Sequence, residues 1–117
     1  DKSPIEEGIL EECNRNGIGF ISFSPLAQGL LTERYLQGII PEDSRMSQGR
    51  FLKAEMLTPE LLACLRELNS QAHIQGMTLA EMALRWILEQ KGVTSVLVGA
   101  SNTEQLEKNI SAVSFAR

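Results

Sequence analysis

Two short runs, Ile18–Phe23 (IGFISF) and Thr94–Val98 (TSVLV), constrain the fold of this chain more than any other feature. Both are β-branched or aromatic, and both are too short for a buried helix, so each reads as a strand buried on both faces. Helical patterns flank each run. Such strands alternating with helices predict an α/β architecture with parallel strands. Two strands do not make a sheet that stands alone, and the shortage of other strand candidates disfavours a small open domain. The expected fold is therefore a fragment of a TIM (β/α)8 barrel, about two strands with their helices and a long loop. The opening at Asp1 with Ser3-Pro4, and the closing SAVSFAR, both read as cut from a longer protein.

Punctuation residues place the helices. Ser3 as N-cap and Pro4 in the first turn start one, with Ile5, Ile9 and Cys13 as its stripe and Gly17 at its end. Thr58-Pro59 starts a second, carrying Leu61, Leu62, Leu65 and Leu68 as far as Gly76. Thr78 and Glu81 form a capping box for a third, with Leu79, Met82, Ala83, Trp86 and Ile87 facing inward and Gly92 closing it. Ser101 and Glu104 offer another box, followed by the stripe Leu106, Ile110 and Val113. Between about Glu33 and Leu57 there is little period of either kind. A stretch of that length is a functional lid or partly disordered, and it is expected to be mobile without ligand.

Charge and composition exclude several functions. A net charge of -4 argues against nucleic acid or an anionic membrane as partner. No apolar run reaches the length of a membrane span. Cys13 and Cys64 lack metal-ligand spacing and read as buried free thiols in a reducing, cytoplasmic setting. His73 has no partner at ligand spacing, so no metal site is expected.

In parallel α/β folds ligands bind beyond the carboxyl ends of the strands. After Val98, the small residues Gly99 and Ala100 let a ligand approach the backbone, Ser101 supplies a hydroxyl, and the N–H groups of a new helix favour an anion such as phosphate. Spacing alone leaves a second reading open, in which Ser101 is only an N-cap. Gln105 and Asn109, one turn apart, are amides suited to a heterocycle or simply to solvent. After the first strand, Phe23 could stack on a flat ring or pack in the core, and a tight turn follows. Arg34 and Arg45 are loop cations available to a phosphate.

The pair of stretches ISFSPLAQGLLTERY and VTSVLVGASNTEQLEKN, in this order, resembles the C-terminal part of the aldo-keto reductases. The likeness is to the branch that holds potassium-channel β subunits and bacterial glyceraldehyde-phosphate reductases, and it covers nearly the whole chain. It implies the C-terminal portion of a barrel that binds NADP and reduces small-molecule aldehydes or ketones by hydride transfer. By that resemblance Phe23 packs on the nicotinamide, while Ser24, Pro25, Leu26, Ala27 and Gln28 wrap the pyrophosphate. Arg34 and Arg45 belong to the closing loop, and Gly99, Ser101, Gln105 and Asn109 match the site of the adenosine 2′-phosphate and adenine. Phe23 stands where Trp is frequent, Arg34 where Lys is, and Lys108 where a Glu meets the adenine amino group. The family's catalytic Asp, Tyr, Lys and His have no match here, so no catalytic residue is carried over and the chain by itself is expected to be inactive and, with open strand edges, to self-associate as a homo-oligomer. An NADP-binding regulatory barrel, like the channel β subunits, would share every one of these residues, and a fragment without function is the third reading.

Overall fold

The computed structural model describes residues 2–44, 46–49 and 52–114. The chain divides into two compact units, one formed by the residues up to Pro25 and from Leu84 onward, the other by Leu26–Ala83.

The first unit is built on two parallel strands, β1 (Phe20–Phe23) and β2 (Val93–Leu97). Phe20 pairs with Val93 and Ile21 with Ser95, so Thr94 is an extra residue in the ladder. Its hydroxyl accepts the Phe20 N–H at 3.1 Å, which satisfies the donor that the bulge leaves over. Gly19 permits this approach, because a Cβ there would lie 3.2 Å from Thr94 Oγ1. Beyond the bulge the register runs Ser22↔Val96 and Phe23↔Leu97, and the two carboxyl ends finish level. The expectation of burial on both faces is corrected. Ile21, Phe23 and Leu97 are exposed on one shared face, which no described residue of the unit covers.

The expected first helix is two helices, α1 (Ser3–Glu6) and α2 (Ile9–Arg15). Gly8 stands between them with φ +77°. A left-handed residue ends an α-helix, and Gly adopts it without a side-chain penalty. Ser3 is inside α1 rather than at its N-cap, a position that falls to Lys2. The break also changes which residue packs. Ile5 and Ile9 are exposed, and Leu10 is the buried one.

Leu10 and Asn14 of α2 close on Gly92, the turn before β2. Gly92 has φ +99°, and a Cβ there would meet Leu10 Cδ1 at 3.3 Å and Asn14 Cβ at 3.4 Å. Gly92→Ala is therefore expected to cost about 1–3 kcal/mol for the backbone conformation, with crowding in addition. Gly17→Ala, at φ +68° with open space around the new methyl group, should cost less. Urea midpoints of the two variants measure the difference, and equal losses would refute the packing account.

Helix α5 (Thr103–Ser114) turns inward a face about a quarter turn away from the stripe that the sequence predicts. Asn109 and Ala112 are buried, while Leu106, Ile110 and Val113 are exposed. Trp86, expected in the core, is also exposed, and the Lys2 ammonium lies 5.8 Å from its ring centroid.

In the second unit, Thr58 caps α3 (Pro59–Ile74) by accepting the Leu61 N–H. Cys64 of this helix is exposed and Cys13 of α2 is half-buried, which corrects the expectation of two buried thiols. The Thr78–Glu81 box that starts α4 (Leu79–Leu88) forms as expected: Glu81 N–H donates to Thr78 Oγ1, and Thr78 N–H to Glu81 Oε2. The aperiodic stretch has a core of its own. Tyr35, Met46 and Leu52 are buried together, with Leu30, Ile40 and Leu57 against them. Short 3₁₀ turns at Glu33–Tyr35 and Ala54–Met56 frame it. Arg66 Nε donates to the Leu36 carbonyl at 2.8 Å, and His73 Nε2 meets Glu33 Oε1 at 2.8 Å, so the stretch is tied along α3.

Candidate functional site

The level strand ends bring the residues after Phe23, as far as Pro25, and those after Leu97 to one end of the sheet. At the end of β1, Phe23 is 79% exposed, its ring standing open on the uncovered face. The backbone then takes three left-handed conformations at residues other than glycine: Ser24 (φ +51°), Ala27 (φ +47°) and Gln28 (φ +59°). Each costs on the order of 1–2 kcal/mol relative to ordinary backbone, and such clusters persist where a loop is shaped for a ligand. Gly29 N–H and Leu31 N–H both donate to the Leu26 carbonyl, which folds Leu26–Leu31 into a compact turn.

At the end of β2, a Cβ on Gly99 would meet nothing within 4 Å, so the backbone is open to approach. The helix that follows is capped differently from the expectation. Asn102 Oδ1 accepts the Gln105 N–H at 2.9 Å, and Gln105 Oε1 accepts the Ser101 N–H at 2.9 Å. The box is thus Asn102 with Gln105, one residue later than Ser101 with Glu104. Asn caps at least as well as Ser, and this register brings a side chain back to the Ser101 N–H. The Ser101 hydroxyl has no hydrogen-bond partner among the described residues. Thr103 and Glu104 begin α5, where the helix supplies no acceptor for their N–H groups.

Glu104 would repel an anion at this corner if its charge were unopposed. Lys108 Nζ holds it at 2.7 Å, and the hydrogen bond and charge of that ammonium keep the Glu104 carboxyl below its ordinary range. A depressed carboxyl favours the paired state at pH values above the ordinary carboxylate range, and the preference is lost as pH falls through the lowered value. Lys108 is thus engaged in neutralising its neighbour.

Gln105 and Asn109 share the inward face of α5, one turn apart. Asn109 is only 9% exposed and lines a cavity of about 210 Å³ with Leu84, Leu88, Val96, Val98 and Val113. Ser101 and Gln105 are thus in direct contact, and Asn109 sits one turn deeper. In the second unit, Arg34 Nη2 is 2.7 Å from Asp43 Oδ1. Arg45 lies outside the described residues. No group of three His, Cys, Asp or Glu side chains that could hold a metal occurs among the described residues. No helix among them is long and apolar enough to cross a membrane.

Two relevant residues escaped the sequence reading. Asn102 was visible in principle, because N-T-E-Q matches a capping box as well as S-N-T-E does. Asp43 carried no local signal, since its partner is in a separate turn.

The model of the aldo/keto reductase family matches residues 2–117. L-glyceraldehyde 3-phosphate reductase of Escherichia coli O157:H7 is 52% identical over 112 residues, an alignment covering 92% of this chain and 32% of that protein. A probable voltage-gated potassium channel subunit beta of Arabidopsis thaliana is 35% identical over 111 residues, covering 93% of this chain and 34% of that protein. The chain thus spans about a third of the length of these relatives. In fold, it aligns with a crystal structure of a thermostable aldo-keto reductase in complex with the inhibitor epalrestat at TM-score 0.59 and 23% identity, covering 97% of this chain and 31% of that one. Two parallel strands with their helices are what a portion of a β/α barrel contributes, and the chain belongs to the aldo/keto reductase family.

Proposed function

We propose that these 117 residues are the cofactor-binding C-terminal part of one barrel domain in a cytoplasmic NADP-dependent reductase of small aldehydes or ketones. The observation that carries the reading is the capping of α5. Because Asn102 caps the helix, the Ser101 hydroxyl stays available at an open glycine corner, beside first-turn N–H groups and a neutralised Glu104. That donor set suits a phosphate on the ribose, and it is what would separate NADPH from NADH.

Family members reduce carbonyl compounds with a nicotinamide cofactor, which supplies the hydride when bound. The residues here bind and orient it. Phe23 offers an exposed ring face for the nicotinamide, and the left-handed turn from Ser24 to Gln28 presents backbone to the pyrophosphate. Ser101 and Gln105 take the 2′-phosphate end, with Asn109 beneath toward the adenine. Arg34 and Arg45 supply cations to a cofactor phosphate. The reductase reading rests on the higher identity to a named reductase; the 35% relative is what favours a regulatory, channel-subunit-like role as the second.

Ser101→Ala tests the assignment in the intact protein. A hydrogen bond to a charged group is worth about 1.5–3 kcal/mol, so NADPH binding should weaken by roughly that amount while NADH binding is nearly unchanged. Equal losses for the two cofactors in a fluorescence titration would remove the 2′-phosphate from this corner.

A further inference from the structure

The guanidinium of Arg34 is engaged by a carboxylate of the same unit, Asp43, at 2.7 Å. Both ends of this pair stand on fixed backbone. Arg34 N–H donates to Thr32 Oγ1, which itself donates to the Gly29 carbonyl at 2.6 Å. On one side Glu33 is held by His73, and on the other Tyr35 is fully buried. Asp43 precedes the buried Ser44, whose N–H donates to the Pro41 carbonyl. Ser47 Oγ lies 2.6 Å from both the Glu42 and the Ser44 carbonyls and closes the same turn. Forming the ion pair therefore orders two side chains and little else, so it loses less to entropy than a pair between floppy loops.

A carboxylate and a phosphate compete for the same fork of donors. We propose that Asp43 is an internal competitor for the phosphate that Arg34 takes, a built-in brake that lowers cofactor affinity by holding the guanidinium. The inference rests on the reading of Arg34 as a cofactor ligand. A ligand that uses the Nη2 corner of Arg34 must displace Asp43 first, and apparent affinity falls by the fraction of molecules in which that corner is available. For an exposed pair of this kind that fraction corresponds to about two- to fivefold in binding. The opposite role, in which Asp43 aims the guanidinium at the ligand, would give the opposite sign.

Titration of the intact protein with NADPH at low ionic strength separates these cases. Arg34→Gln should weaken binding. Asp43→Asn should tighten it two- to fivefold, and the gain should vanish in the Arg34→Gln/Asp43→Asn double variant. Binding that is unchanged or weaker in Asp43→Asn, with Arg34→Gln still damaging, would overturn the brake and leave the cofactor reading standing. A gain that persists in the double variant would also overturn it, since removal of a negative charge anywhere nearby would then suffice. An Arg34→Gln variant that binds as the wild type does would refute Arg34 as a ligand, and the brake with it.

Discussion

Incubated with NADPH and simple aldehydes, the 117-residue chain is expected to oxidise the cofactor no faster than an enzyme-free control. Carbonyl reduction by hydride transfer needs a proton donor within hydrogen-bond reach of the carbonyl oxygen and a neighbour that tunes its pKa. Tyr35 is the single tyrosine of the sequence, and it is 0% exposed. Its hydroxyl lies 3.4 Å from the Met46 N–H, which it accepts inside the apolar cluster of Met46 and Leu52. No substrate can reach it there. The single histidine, His73 on α3, pairs with Glu33 of the Glu33–Tyr35 3₁₀ turn. Loss of a general acid alone removes about 10²–10⁴-fold of rate, and the resemblance carries none of the family's catalytic residues onto this chain. A rate above the control that disappeared in Tyr35→Phe would make Tyr35 the donor and sink the argument.

The strands, their parallel sense and the corner after β2 were legible because each has a local chemical cause. β-branched runs favour strands, small residues open a backbone, and Thr-Pro or Thr-x-x-Glu signals start helices. What failed to read depended on choices between near-equal local options. Gly8 looked like an interior glycine in a continuous helix, yet its left-handed backbone splits the helix and moves burial from Ile9 to Leu10. Two overlapping capping boxes stood within five residues, and hydrogen-bond geometry selected Asn102. That choice leaves the Ser101 hydroxyl out of the cap, and the proposed 2′-phosphate site depends on it. The stripe of α5 was identified correctly as apolar, but its direction was not. Sequence period locates a stripe and does not say which neighbour covers it. Ile21, Phe23 and Leu97 pose the same problem: they are apolar as a barrel's strands require, and in this chain's span of about a third of a barrel structure their shared face is open.

The long stretch between Glu33 and Leu57 was the least legible, because its core comes from scattered residues without a period. Tyr35→Ala should expose how it is held. Truncating a fully buried aromatic costs about 3–5 kcal/mol, and Tyr35 has its ring among Met46, Leu52, Leu30, Ile40 and Leu57. Its hydrogen bonds are mostly local turns, and the side-chain ties to α3 among the described residues include the Arg66 hydrogen bond and the exposed Glu33–His73 pair. The loss should therefore appear first as local opening. Amide exchange between Leu30 and Leu57 is expected to accelerate by several hundredfold, while the middle of α3, capped by Thr58 and anchored by buried Leu65 and Ala72, keeps its protection. Tyr35→Phe keeps the ring and removes only the acceptor of the Met46 N–H, at about 1–3 kcal/mol for the donor left unpaired. Because Arg34 sits beside Tyr35, the alanine variant should also bind NADPH more weakly than the phenylalanine variant does. If exchange rose equally across α3 and the stretch before it, the cluster would be part of one cooperative core rather than a separate one. If it rose in neither, Tyr35 would not be what holds the stretch together.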